Sequence, residues 1–268
     1  MRNTLFGAAI FFIVSCTPAE RLMEPPGATS AFTSVDETLT GGDSLYNILV
    51  RNGYGSINPR RVAVNVLSKH LVDVSNPAAE SDYVAALIIA EGIDPVTSVA
   101  YHDVSLAAFD ASRSMKFIGV NKPMFPEVYT LFFDEGEQQS GQGPNLLAST
   151  LRLSDAGDVI AITAKSEKQY MEGSDDDEDV WLFALWKDEV LMLMGYRRKY
   201  HHLVTGKEGW SEDTWWSARL KIESKKTRGM RNITLNCHKK VSRASKGEDE
   251  ETDTIERYTF NGKEYLQY

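Results

Sequence analysis

The sequence predicts an α+β fold, in which a short N-terminal helical part precedes an antiparallel β-meander that forms a sandwich or a partial barrel. Signals for helix starts, each an N-cap residue followed by proline, recur in the first half of the chain. The second half alternates turn signals with short runs rich in β-branched and aromatic residues. Apolar residues make up 42% of the chain and aromatic residues 10%, which is enough for a buried core.

The first 15 residues have the features of a secretory signal peptide. A positively charged residue, Arg2, precedes an apolar run at positions 5–14. This run is too short to cross a bilayer as a helix, which takes about 20 residues, and its length is typical of the apolar region of a signal peptide. A buried globular helix is the alternative. The polar, proline-containing sequence that follows at once disfavours it, because it offers no partner at helical spacing.

The residues that end this segment, Ile13-Val14-Ser15-Cys16, resemble the lipobox of bacterial lipoproteins. The resemblance implies cleavage after Ser15 and attachment of a diacylglycerol to the sulfur of Cys16. Fatty acyl chains such as palmitate would then hold the protein on a membrane of the cell envelope. Because Thr17 is not aspartate, the resemblance further implies, if the cell is Gram-negative, the outer membrane, on its periplasmic or surface side. A plain signal peptide followed by an incidental cysteine is the alternative.

Residues 16–42 are predicted to be a lipidated tether, because they contain several Pro and Gly residues and no periodic apolar pattern. The only other cysteine is Cys237, so no pair remains for an internal disulfide once Cys16 is lipidated. Cys237 lies in a strand-like run, residues 233–238. A small buried apolar side chain is expected there rather than a nucleophile.

Four helices are predicted in the helical part, residues 43–112. The first is capped by Asp43, runs to Arg51 and stops at Gly53. The third covers residues 81–90, and the fourth begins at 94–95 and extends to 109, although the runs 87–89 and 98–101 would also make acceptable strands. The second starts at Asn58-Pro59 and carries apolar residues at helical spacing, namely Val62, Val66, Leu67, Leu71 and Val74.

An antiparallel β-domain is predicted in residues 113–268. Turn signals separate its strands, at residues 155–158 and at Asn261-Gly262, the strongest short hairpin signal in the chain. The segment from Tyr258 to Tyr265 resembles the closing hairpin of β-meander modules in exported bacterial proteins of unassigned function. This likeness covers the last third of the chain and implies a fold without an activity. Strands are expected at 128–133, 148–153, 159–164, 180–186, 190–196, 215–223, 232–239, 254–260 and 264–268.

The charge of the chain disfavours one class of partner and leaves others open. A formal net charge of −9 argues against a general nucleic-acid-binding protein, which needs a basic surface. Residues 195–246 nevertheless hold 14 Lys or Arg against four acidic residues. A solvated β-surface with acidic loops explains this asymmetry. The alternative is a basic face that meets anionic lipid, cell-wall polymer or an acidic protein partner.

Motifs of catalysis and cofactor binding are absent from the sequence, so no catalytic residue and no cofactor is assigned. No G-x-S-x-G, H-E-x-x-H, P-loop or G-x-G-x-x-G pattern occurs. Adjacent residues of a strand point to opposite faces, so His201 and His202 would not converge on a metal without a bulge, and no metal is assigned. The acidic run 175–179 suggests Ca²⁺, but Val180 stands where an EF-hand has glycine, and a solvated, mobile hairpin loop is predicted instead.

Five tryptophans and a basic triplet provide the candidate contact residues. Aromatic platforms bind sugars and exposed aromatic residues mark partner surfaces, but core packing is expected for most of these tryptophans. Trp210, in a Gly-containing loop, is the candidate for an exposed partner or ligand contact, together with Arg197, Arg198 and Lys199.

The predicted function is that of a membrane-anchored envelope lipoprotein with a non-catalytic binding or scaffolding role. The alternative is a cell-envelope hydrolase whose acidic catalytic residues no motif identifies. Glu91 with Asp94, and Asp134 with Glu135, are pairs of acids that could serve it. Nothing in the sequence distinguishes them from ordinary acids at helix ends and turns.

Overall fold

The computed structural model describes residues 45–54, 59, 61–93, 100–122, 145–170, 172–206, 210–244 and 248–268, and the backbone of residues 29–30. Several predictions fall outside these residues: the signal peptide, the lipidation site Cys16, the starts of the second and fourth helices, and the strand at 128–133. No helix in the described residues is long and apolar enough to cross a membrane.

The described residues form one α-helix, α1 (Leu45–Arg51), and two antiparallel sheets. At one edge of the large sheet, the two-residue strand β1 (Thr29–Ser30) pairs with β6. The small sheet contains, in this order, β2 (Arg61–Ser68), β3 (Tyr83–Ile93), β4 (Ala100–Asp110) and β5 (Lys116–Asn121). The large sheet continues with β6 (Asn145–Leu151), β7 (Val159–Tyr170), β8 (Gly173–Trp186), β9 (Glu189–Thr205), β10 (Ser211–Thr227), β11 (Met230–Arg243), β12 (Glu248–Phe260) and β13 (Tyr265–Gln267).

The predicted antiparallel meander is confirmed, because successive strands of the large sheet from β6 to β13 are also neighbours in space. The hairpin turn predicted at Asn261-Gly262 is present. Asn261 Oδ1 accepts hydrogen bonds from the backbone N–H groups of Lys263 and Glu264, at 2.8 and 2.9 Å. Gly262 has a φ of +110°, a conformation that favours glycine. The large sheet is open, since its outermost described strands, β1 and β13, do not pair.

Of the four predicted helices the first is confirmed as α1, and the other three are wrong because their residues form strands. The third prediction failed because all residues from Val84 to Ala90 of β3 are buried. A strand covered on both faces has a continuous apolar sequence, which resembles that of a buried helix. The strand alternative for residues 87–89 is therefore correct. The fourth predicted helix overlaps β4, which has a similar apolar run at residues 106–109.

The second predicted helix corresponds to β2, whose valines are also compatible with a strand. Val62, Val64 and Val66 occupy alternate positions, as side chains on one face of a strand do, and they pack toward the cluster around α1. Residues 62 and 66 are four positions apart, and this spacing places side chains on one face both in a helix and in a strand. These two residues therefore fit either structure. Leu71 and Val74, which completed the helical pattern, lie beyond the strand and are buried.

Three apolar clusters hold these layers together. The first joins α1 to one face of the small sheet, with Phe109 at its centre. The second lies between the other face of the small sheet and strands β6–β9, and includes Phe183. The third covers the opposite face of the large sheet and runs from Ala161 in β7 to Tyr265 in β13. The backbone N–H of Arg231 in β11 donates a hydrogen bond of 2.8 Å to the carbonyl of Leu153, just after β6, so the large sheet is strongly curved.

Cys237 lies in the third cluster and is 2% exposed, so the predicted buried side chain is confirmed. Burial raises the pKa of its thiol. A thiol in this environment stays protonated and is a poor nucleophile.

Candidate functional site

Strands β7 to β12 extend beyond the apolar core and carry polar side chains in their distal halves. β9 and β10 each contain 17 residues, whereas strands of globular proteins average about 5–6. Within β8, residues 180–185 are apolar, but residues 173–179 are polar or acidic. Cross-strand polar contacts therefore determine the structure of this distal region.

The acidic run, residues 175–179, lies within β8, so the predicted solvated hairpin loop is wrong. The neighbouring strand β9 supplies its counterions. Glu178 Oε1 lies 3.0 Å from Arg198 Nη1, and its Oε2 lies 3.6 Å from Lys199 Nζ. Arg197 Nε lies 3.3 and 3.6 Å from two aspartates of the run. These cations offset the repulsion between adjacent carboxylates, which would otherwise favour an open loop.

Basic residues of the segment 195–246 also pair with acidic residues on the other side of the meander. Lys240 Nζ lies 3.0 Å from Asp249 Oδ2 of the acidic strand β12. Arg243 contacts Glu250 of β12 at 3.0 Å and Glu212 of β10 at 2.9 Å. The strand order thus places the basic strands β9–β11 between the acidic β8 and β12.

A polar groove crosses five strands of this distal region. Residues directly opposite each other in antiparallel strands project from the same face. The register places in one row, from β7 to β11, Lys165, Glu178, Lys199, Ser217 and His238. All five line a groove of about 530 Å³. With strands about 4.8 Å apart, the row is about 19 Å long.

A second row beside the first contains Asp176, His201 and Trp215, which also line the groove. The imidazole of His201 is hydrogen-bonded through Nε2 to Asp213 Oδ1 at 2.8 Å, and its Nδ1 lies 3.6 Å from Asp176 Oδ2, beyond hydrogen-bond distance. Its ring stacks on the indole of Trp215, with centroids 3.7 Å apart. Trp215 is nevertheless 49% exposed. The stack therefore presents a supported aromatic surface to solvent.

His202 has different partners from His201, as expected for neighbours on opposite faces of a strand. It contacts Asp175 and stacks near Tyr200, with ring centroids 5.8 Å apart. The predicted divergence of the two histidines is confirmed. In the described part of the chain, no group of three or more His, Cys, Asp or Glu side chains is placed to hold a metal ion.

Glu178 is the most buried charged group of the groove, with 4% of the residue exposed. Although Arg198 Nη1 lies 3.0 Å from Glu178 Oε1, this oxygen accepts no hydrogen bond within the described residues. This oxygen has almost no surface exposed to solvent, so the nearby guanidinium of Arg198 is what offsets the cost of burying its charge. Burial, together with the carboxylates of Asp175 and Asp177, raises the pKa of Tyr200 at the edge of the groove, so its hydroxyl stays protonated.

The structure places the four candidate contact residues in different surroundings. Lys199 lines the groove, Arg198 contacts the carboxylate of Glu178, and Arg197 lies over the ring of Tyr200 at 5.0 Å. Trp210 is 40% exposed just before β10 and is not among the residues that line the groove.

Trp215, His201 and Glu178 were not singled out from the sequence as contact residues. One signal was available, since adjacent tryptophans in a strand must point to opposite faces. Trp216 packs against the third apolar cluster, and its neighbour Trp215 is exposed on the other face. Of the acid pairs considered for hydrolysis, the side chain of Glu91 and the whole of Asp94, Asp134 and Glu135 lie outside the described residues.

Comparison with known proteins identifies no relative. No protein-family model matches the chain. No curated protein and no solved structure matches it significantly either.

Proposed function

We propose that this chain is a non-catalytic binding protein of the bacterial cell envelope, anchored through a lipid on Cys16, which holds a cell-wall carbohydrate in the groove of its large sheet. The observation that carries the proposal is the half-exposed indole of Trp215, stacked on His201 in a groove that polar side chains also line. Sugars present an apolar C–H face and several hydroxyl groups. An aromatic surface beside fixed polar groups complements both features.

The charge distribution favours a carbohydrate over an anionic lipid surface as the ligand. A basic face would need cations that are free to meet lipid phosphates. The basic triplet at 197–199 instead contacts the carboxylates of β8, and Lys240 and Arg243 contact those of β12.

The lipid anchor and the location in the cell envelope are also part of the proposal. Both rest on the lipobox-like residues Ile13 to Cys16. Several acyl chains give lasting attachment to a membrane. A tether of residues 16–42 would let the sheet reach polymer at some distance from the bilayer.

Sedimentation with purified cell-wall sacculi tests the proposed binding. We expect the mature protein to sediment with sacculi and Trp215→Ala to weaken this by roughly 10-fold or more, as for the loss of an aromatic anchor. Trp210→Ala is the matched control, since Trp210 is 40% exposed, against 49% for Trp215, but does not line the groove. Equal sedimentation of both variants and the parent would refute the proposal. Release of new reducing ends by the parent, but not by Trp215→Ala, would show a hydrolase instead.

A further inference from the structure

Strand β12 lies near the edge of the large sheet, and most of its outer side is open. It pairs with β11 from Glu248 to Tyr258 without a shift in register. On its other side, β13 pairs only with residues 258–260. Within the described part of the chain, residues 248–256 therefore have a strand neighbour on one side alone. The side chains of residues 249–255 are all exposed.

One backbone hydrogen bond identifies the residues of β12 whose backbone groups point to the open side. The N–H of Tyr268 donates to the carbonyl of Arg257 at 3.0 Å, so the backbone groups of Arg257 point away from β11. In an antiparallel strand, alternate residues direct their N–H and C=O groups to the same edge. A row of such groups can hydrogen-bond to a further strand. The outward-facing groups are those of Asp249, Glu251, Asp253 and Ile255.

We infer that β12 is a docking edge for an extended, basic segment of a partner protein, which adds to the large sheet as a further strand. The open side of residues 248–256 would receive its main-chain hydrogen bonds, and the acidic side chains of β12 would contact its lysines or arginines. This interaction surface is separate from the proposed carbohydrate groove, because no residue of β12 lines that groove.

The charge of β12 favours a basic partner. Asp249, Glu251 and Asp253 project from one face of the strand, and their side chains are 57%, 58% and 85% exposed. The basic residues that they contact, Lys240 and His238, lie on β11 and not on the open side. Opposite charges in neighbouring strands stabilise a sheet, and like charges destabilise it. A second copy of β12 would place acids against acids, which disfavours a homodimer through this edge.

An apolar patch beside the open side provides a place for one uncharged anchor. Ile255 projects from the same face as the three acids and is 56% exposed. Tyr268 lies opposite Arg257 and is 67% exposed, and Leu266 lies opposite Thr259 and is 47% exposed. A strand added to β12 would continue the line of β13 and bring a side chain against Ile255 and Tyr268. The expected partner segment therefore has basic residues at alternate positions, followed by an apolar residue.

Binding of designed peptides to the full mature protein tests the inference. The probe is a peptide in which Lys and Thr alternate, with Val at both ends, and fluorescence anisotropy measures its affinity. We expect it to bind, whereas the same peptide with Glu in place of Lys should not. Binding of the two peptides with equal affinity would overturn the inference.

Backbone methylation of the peptide separates strand addition from attraction between charges. One peptide is methylated on the backbone nitrogens of its lysines, and another on those of its threonines. In either strand direction only one of these sets faces β12, so we expect one methylated peptide to lose roughly 10-fold or more in affinity and the other to keep it. Equal affinity of both and the parent peptide would show charge attraction alone and would overturn the inference.

Variants of β12 provide a second test. Asp253→Pro removes an outward N–H and should leave the hydrogen bonds to β11 intact, because proline is tolerated on the open side of an edge strand. We expect it to bind the lysine peptide roughly 2- to 10-fold more weakly than Asp253→Ala, which loses the same charge. Asp253→Lys should weaken the lysine peptide by about 5-fold and improve binding of the glutamate peptide. Glu189→Lys, an exposed acid at the start of β9, makes the same change in net charge and is the control.

Hydrogen exchange measured by NMR locates the binding residue by residue. We expect the amides of Glu251, Asp253 and Ile255 to gain protection when the lysine peptide binds. Protection of these amides in the free protein would show that the edge is already covered. Equal effects of Asp253→Lys and Glu189→Lys would show unspecific attraction. Either result would overturn the inference, and neither bears on the proposed carbohydrate groove.

Discussion

The imidazole of His201 lies flat against the indole of Trp215, with ring centroids 3.7 Å apart and planes 14° from parallel. The two residues are directly opposite each other in β9 and β10. A hydrogen bond of 2.8 Å between Nε2 and Asp213 Oδ1 holds the imidazole ring, and the ring in turn orients the indole. An aromatic side chain ordered before binding loses less conformational entropy when a ligand stacks on it.

Removal of His201 should therefore weaken ligand binding even though Trp215 remains. We expect His201→Ala to reduce the affinity for a groove ligand by roughly 2- to 10-fold, the range of an aromatic pair. Calorimetry measures this affinity, and tryptophan fluorescence measures the change in the surroundings of Trp215. His202→Ala is the matched control, because His202 contacts Asp175 and Tyr200 instead. Identical affinities for the two variants would contradict a role for the stack.

The pairing of Glu178 with Arg198 should be visible in the stability of the chain. The side chains are only 6% and 17% exposed, so removal of one leaves the other poorly solvated. We expect Glu178→Leu to lower the free energy of unfolding by about 3 kcal/mol. The double variant with Arg198→Leu should cost less than the sum of the two single changes. Strict additivity in urea denaturation would argue against this coupling.

Gly119 in β5 should tolerate no side chain, because a Cβ at this position would collide with the backbone carbonyl of Asp188 in the β8–β9 turn. The small and large sheets meet at this point. We expect Gly119→Ala to reduce the free energy of unfolding by about 1–3 kcal/mol, the usual cost of overpacking. Lys116→Ala, on an exposed position of the same strand, provides the baseline in thermal denaturation. A neutral Gly119→Ala would mean that the sheets can separate freely there.

Asp155 should contribute stability that depends on pH. Hydrogen bonding and charge from Lys226, and then from Arg231, lower the pKa of its carboxyl group. Because the folded pKa is the lower one, the contribution is fully present above the unfolded pKa and disappears as the pH falls through the folded pKa. We expect Asp155→Asn to be less stable than the parent at neutral pH, and the difference to shrink as the pH falls into the acidic range. Asp188→Asn, an exposed control, should not show this convergence, and a pH-independent difference for Asp155→Asn would contradict the assignment.

The proposed lipid anchor can be tested independently of the groove. We expect Cys16→Ala to abolish metabolic labelling with palmitate and to leave uncleaved precursor in the producing bacterium. Cys237→Ala should retain the label, because the thiol of Cys237 is buried in the core. Normal processing of Cys16→Ala would indicate an ordinary signal peptidase substrate.

Local features of the sequence determined several elements by themselves. The helix stop at Gly53 and the Asn261-Gly262 turn depend on backbone conformations that a few neighbouring residues control, and both were predicted correctly. The alternation of side chains along a strand likewise predicted that His201 and His202 would diverge.

Only the tertiary structure decided the rest. The sequence of a buried apolar run such as β3 is compatible with a strand and with a helix. The layers that pack on its two faces decide that it forms a strand. The acidic residues 175–179 would repel each other in isolation, but β9 brings Arg197, Arg198 and Lys199 against them and so keeps them in a sheet. The groove exists for the same reason. Its row of five side chains comes from positions far apart in the chain, and strand register, which depends on all the packing around it, brings them together.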